Sequence, residues 1–164
     1  MKPASEIAER MIDYSDGSLH DIAHFLKVWA FARTIGEGEH LCEKDQFILE
    51  TAAIVHDIAC PLCRIKYGNT DGKYQEKEGT ILAGEFLNGQ GLQEDELDRV
   101  VFLVGHHHTY TDVNGSDYQI LLEADYLVNA DESGYSRDNI RNTMRTVFRT
   151  KTGLSLLKSI YLRE

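Results

Sequence analysis

Ala53-Ile54-Val55-His56-Asp57-Ile58-Ala59 sets an adjacent histidine and aspartate at the end of the most hydrophobic helical segment in the chain. Around the pair, Phe47, Ile48, Ala52, Ile54, Val55 and Ile58 are apolar on nearly every side of a helical period. That pattern predicts a central buried helix, opened by the acids at Glu43 and ended near Pro61. An ionised carboxylate in such surroundings is costly unless partnered, and imidazole with carboxylate is a common ligand set for a divalent cation. A dipeptide alone also reads as a structural histidine beside a helix-end aspartate bonded to backbone. The surroundings favour the ligand reading.

Two further positions repeat the pattern. Ser18 is placed to cap a helix running to about Ile35, with Ile22, Leu26, Trp29 and Ala30 on one stripe and His20, His24, Val28 and Phe31 beside it. Near the other end of the chain, Asp125 lies one turn from Leu121 and Val128 in a predicted helix over 117–132. One histidine, a His-Asp pair and a late aspartate thus fall on three different helices. Bundle cores are where helical proteins build metal sites. Amphipathic segments at 5–11, 75–87, 94–106, about 136–148 and about 153–162 complete the chain, and no alternating pattern supports a strand. The fold class read from this is all-α: one compact domain over 1–164 with about six to eight helices. Gly68-Asn69 and Asp71-Gly72 mark 59–74 as one long, locally basic loop.

A chain of 164 residues is long enough to bury roughly 70% of its unfolded surface, and 42% hydrophobic with 27% charged residues is far from the low-hydrophobicity signature of disorder. The formal charge of -10 repels polymeric nucleic acid and anionic membranes unless bases are locally concentrated. No polymeric nucleic-acid or membrane partner is therefore expected. Three cysteines, no leader-like segment and no apolar run near the roughly 18 residues of a span read as a reduced, cytoplasmic protein. Cys60-Pro61-Leu62-Cys63 stands without a second such pair and reads as two small thiols beside the loop rather than a redox motif.

These segments resemble the HD-domain superfamily of metal-dependent phosphohydrolases, whose pattern is H, then HD, then D on a helical core. The resemblance runs over about 20–132. It is carried by His20-Asp21-Ile22-Ala23-His24-Phe25-Leu26-Lys27-Val28-Trp29, by the His56-Asp57 segment, by Gly105-His106-His107-His108 and by Glu123-Ala124-Asp125-Tyr126-Leu127. It implies His24, His56, Asp57 and Asp125 as ligands to one divalent ion (Mn, Ni, Co, Fe, Mg or Zn), with Asp57 the most buried. It also implies hydrolysis of a phosphate ester of a small metabolite or nucleotide, with Asp57, His106 and His107 as catalytic residues. His106 and His107 are candidates either to bind a second metal or to donate to phosphate and leaving group.

Two departures bear on the chemistry. Multi-histidine members often carry another histidine where this chain has Gln75, so a second ion would need Glu76 or Glu78 instead. Some members place Lys or Glu where this chain has Cys60, and a proton-transfer role there does not carry over. Arg64, Lys66 and Lys73 in the basic loop, with His20, are the substrate-binding candidates, and Tyr67 and Tyr74 are candidates to stack on a base or sugar. His40 and His108 receive no role. The two C-terminal helices lie outside the pattern, free to pack as a lid or a homodimer surface. A di-iron oxygenase on the same fold and a non-catalytic metal- or nucleotide-binding sensor are the competing functions.

Overall fold

The computed structural model describes residues 3–163, and among them are nine α-helices and no strand. α1 (Ala4–Tyr14) follows Pro3 and lays Ile7, Ala8 and Met11 into the core against α3. α2 (Leu19–Gly38) starts at the predicted Ser18 cap and runs one turn beyond Ile35. α3 (Glu43–Val55) has every residue from Phe47 to Val55 buried, as its apolar character on all sides requires. It is wrapped by α1, α2, α6 and α7, while α2 packs against both α3 and α7. The His-Asp pair therefore leaves the most enclosed helix at its C-terminal end.

The all-α class agrees with the sequence pattern, and the additional helix lies inside the segment expected to be a loop. Residues Cys60–Tyr67 form α4. Pro61 sits in its first turn, where a missing N–H costs nothing, so this proline starts a helix rather than ending the one before. Gly68 ends α4 in the left-handed region at φ 72°, and α5 (Gly72–Leu87) begins four residues later. The long loop is thus reduced to a short turn.

α6 (Glu94–Val104) is held at its start by the Glu96 carboxylate reaching back to the Gln93 N–H at 2.8 Å, and it ends before the histidine run. α7 (Ser116–Glu132) is buried along most of its length. α8 (Arg137–Thr146) and α9 (Lys151–Tyr161) are capped by Ser136 and Thr150 and return along α7. No helix among the described residues is long and apolar enough to cross a membrane.

Candidate metal centre

α2, the end of α3 and α7 bring His24, His56, Asp57 and Asp125 to one point. His24 Nε2 and His56 Nε2 are 3.2 Å apart, and Asp125 Oδ1 lies 3.3 Å from the first and 3.4 Å from the second. Asp57 divides its carboxylate, Oδ2 standing 3.3 Å from His24 Nε2 while Oδ1 stands 3.6 Å from His56 Nε2 and 3.4 Å from His107 Nε2. The expectation that Asp57 is the most buried ligand is corrected. A quarter of its side chain is exposed, against none of His56 and 4% of Asp125. Asp57 lies in the turn after α3, at the cavity wall, whereas Asp125 lies in the middle of α7.

The other ring nitrogens decide what this point can hold. His56 Nδ1 donates to the Ala53 carbonyl at 2.7 Å, and His24 Nδ1 donates to Glu132 Oε2 at 2.7 Å. In the neutral ring each Nε2 is then a lone pair. Two lone pairs and the buried Asp125 Oδ1, which has no hydrogen-bond partner, face one another with no donor between them. Such a convergence is stable only around a positive charge, and the donor set fits a divalent cation. In the bare chain a proton serves. Although burial disfavours the charged ring, the Asp125 hydrogen bond and the Asp57, Asp125 and Glu132 carboxylates raise His24 to about 9. Against burial, His56 and His107 hold the Asp57 carboxyl well below the usual range, and His24, His56 and His107 do the same for Asp125. Below about 9, cation uptake is therefore expected to release a proton from His24. Titration calorimetry of metal into apo-protein, in buffers of different ionisation enthalpy, measures that proton. A buffer-independent heat would show that His24 does not carry it.

The histidine run divides differently from expectation. Because α6 stops at Val104, residues 105–108 form a turn and the three rings leave helical spacing. His107 is fully buried, donates from Nδ1 to the Val104 carbonyl at 2.7 Å and joins the cluster. His108, given no role from sequence, has Nε2 3.1 Å from Gln75 Oε1 and forms a second ligand group with Asp57 and His107. His106 is placed elsewhere, stacked on Phe102 at 4.0 Å with Nδ1 bonded to the Phe102 carbonyl at 2.7 Å.

Gln75 holds the position between His107 and His108. Its Nε2 donates to the Thr70 carbonyl at 2.6 Å, which turns Oε1 toward both rings at 3.2 and 3.1 Å. The start of α5 comes this close because residue 72 is glycine, where a Cβ would meet the His108 Cβ at 2.8 Å. Glu76 and Glu78, the expected substitutes, lie outside the cluster. Glu76 accepts from the His108 N–H and Thr109, and Glu78 from Lys66 and Tyr67.

A cavity of about 190 Å³ opens onto the cluster, its wall including His20, Asp21, Cys60, Arg64, Thr70 and Ser133. Of the four substrate-binding candidates, His20 and Arg64 reach it. The Arg64 guanidinium is fixed by Asp21 through two bonds of 2.8 and 2.6 Å. Lys66 and Lys73 do not line it: Lys66 pairs with Glu78 at 2.7 Å, and Lys73 lies over the Tyr74 ring. Tyr67 and Tyr74 stack on each other at 3.9 Å, which occupies the faces expected for a base or sugar. Burial, with the Asp57 charge, pushes the Cys60 thiol up and keeps it protonated, and all three cysteines are free thiols. A larger cavity of about 530 Å³ lies elsewhere, by His40, Cys42 and Lys44.

Sequence reasoning missed Glu132, and it gave Gln75 no part in the site. Glu132 follows Asp125 by seven residues, two turns along the same face of α7, so its spacing was a usable signal. Gln75 stands where the resemblance puts a histidine, which marked the position, but its partner rings lie in a turn that helical periodicity does not describe.

Solved structures with this fold include a predicted HD superfamily hydrolase from an uncultured Thermotogales bacterium, with a TM-score of 0.67 at 23% sequence identity, covering 97% of this chain and 83% of that one. Bacillus subtilis YpgQ gives 0.63 at 18% identity, covering 97% of this chain and 88% of its own. At such identities the likeness establishes the fold alone. No curated protein matches the chain. The HD domain profile matches residues 19–133, the stretch from the start of α2 to just past α7 that supplies every ligand of the convergence, and the chain belongs to the HD-domain family.

Proposed function

We propose that this protein is a metal-dependent phosphohydrolase acting on a phosphate ester of a small metabolite or nucleotide. The observation that carries the reading is the convergence of His24 Nε2, His56 Nε2 and Asp125 Oδ1, without a donor, at a cavity whose wall presents a pinned arginine. A divalent cation held by His24, His56, Asp57 and Asp125 would polarise a phosphoryl oxygen and acidify a water.

The remaining work falls to the chain's own side chains. Asp21 engages two of the five Arg64 donors, which leaves the others for a phosphoryl oxygen and keeps the guanidinium from swinging out to solvent. Glu132 holds the His24 ring in the tautomer that presents Nε2. The cavity admits a phosphoryl group and part of its ester, so the rest of a larger substrate extends through the mouth.

Purified protein loaded with Mn, Ni, Co or Mg is expected to release phosphate from at least one member of a broad phosphoester panel. Silence across the panel, in protein shown to hold metal, overturns the reading. Arg64→Ala is expected to raise KM about tenfold or more while kcat changes less, since a charged hydrogen bond to phosphate is lost. An unchanged KM removes Arg64 from the site.

One observation favours a two-ion variant: Asp57, His107 and His108 offer a second group of ligand atoms within 4.8 Å of one another. Gln75 places a neutral amide oxygen beside that group, making it the weaker of the two. Metal analysis separates the cases, and one non-iron ion per chain excludes a di-iron oxygenase.

A further inference from the structure

The charge of this chain is not evenly spread. Residues 133–164 hold seven of its seventeen bases and two of its twenty-seven acids, all beyond the HD-domain match. On α8, Arg137, Arg141 and Arg145 recur every four residues and all are exposed. The helix is fixed beneath them: Ile140 is buried, and the Tyr126 hydroxyl donates to Asn139 Oδ1 at 2.6 Å.

Several bases elsewhere are neutralised within the chain, as Lys27 is by Glu132, Arg64 by Asp21 and Arg99 by Asp117. On α8 they are not. Among the described residues Arg137 and Arg145 have no acidic partner, and Arg141 has only Asp138 at 3.6 Å, a side chain 96% exposed. Arg149, the next in the series, turns back to the carbonyls of Arg145, Thr146 and Phe148 and closes the end of the helix.

We propose that the Arg137–Arg141–Arg145 ladder is a binding surface for single-stranded nucleic acid. Three observations select this occupant. All three bases are arginines, whose planar fork suits phosphate oxygens. Four helical residues advance about 6 Å, a spacing on the scale of successive phosphates along a strand. The exposed face between them carries Asp138, Asn142 and Thr146 and no large apolar side chain, whereas a helix lying on a membrane needs one to insert. The ladder begins four residues after Ser133, a wall residue of the metal-site cavity, and α8 runs from there back along α7. The whole-chain charge of -10 argues against this class of partner only if the bases are dispersed, and here they are concentrated.

The test is fluorescence anisotropy of short labelled single-stranded RNA and DNA oligonucleotides with the purified full chain, between about 50 and 200 mM NaCl. Three phosphate contacts predict a slope of log K against log salt of about -2. The triple variant Arg137→Glu, Arg141→Glu, Arg145→Glu is expected to lose at least tenfold in affinity, and the triple Arg→Gln variant to lose affinity and flatten the slope. Hydrolysis of a small phosphoester is expected to be unchanged in both, so the result stands whatever the metal site does. Absence of saturable binding at the lowest salt, or equal binding by both variants, overturns the proposal. So does binding to phosphatidylserine vesicles with no oligonucleotide binding, or a fall in sedimentation mass in the variants with oligonucleotide affinity unmoved, which would assign the ladder to a membrane or to a second copy.

Discussion

Asp57→Ala is expected to abolish metal retention and to lower phosphoester hydrolysis roughly 10³-fold, a loss of several kcal/mol of transition-state stabilisation. The size follows from position. Asp57 is the one side chain common to both groups of ligand atoms, with one oxygen toward His24 and the other toward His56 and His107. Its removal leaves three imidazoles with a single buried carboxylate, Asp125, to balance the charge. Because Asp57 is partly exposed in a turn rather than packed in the core, the variant is expected to fold, and metal content by mass spectrometry can be read beside a thermal melt. A variant that holds a full equivalent of metal and turns over at the wild-type rate would remove Asp57 from the site. Arg64→Ala gives the contrast, losing substrate affinity with metal content unchanged.

Glu123→Ala is expected to cost about 3–5 kcal/mol of stability, a drop in Tm on the order of 10 °C for a chain of this size. Glu123 is fully buried on α7, two residues before Asp125. Its Oε1 accepts from the Arg149 and Thr150 backbone N–H groups at 2.7 and 3.0 Å and from Gln119 Nε2 at 2.8 Å, and its Oε2 accepts from the Thr150 hydroxyl. Thr150 in turn caps α9. One carboxylate therefore satisfies the turn between α8 and α9, and alanine would strand several buried donors at once. The fit is tight: a Cβ on Gly153 would come within 1.9 Å of Glu123 Oε2. Glu123→Gln keeps an acceptor for the two backbone groups and is expected to lose less than half as much. Urea denaturation of the three proteins checks the order, and an alanine variant as stable as wild type would show that the C-terminal helices are held by other contacts.

Several structural corrections come from the same cause. The segment around Pro61 reads as a loop because proline, glycine and asparagine cluster there, yet proline in a first turn and glycine at a C-terminus are also how a short helix is bounded. His106 reads as part of the site if the helix continues to it. Once α6 stops at Val104, His107 and His108 turn inward and His106 stacks on Phe102. Lys66 and Lys73 read as free cations, whereas Glu78, brought close by α5, already pairs with Lys66, and Lys73 folds back over the ring of its neighbour Tyr74. In each case the local pattern admits two readings, and packing decides between them.

The sequence by itself determined the all-helical class, the buried central helix and the four residues His24, His56, Asp57 and Asp125 that meet at one point. Those features are written in local periodicity and in ionisable residues set among apolar ones, which a linear reading can see. Only the tertiary structure decided that Glu132 orients His24, that Gln75 stands between His107 and His108, that Asp21 pins Arg64 and that α8 carries an unneutralised arginine ladder. Each depends on which side chains from distant parts of the chain come within hydrogen-bonding distance, or fail to. Packing sets those distances, and no local pattern encodes them.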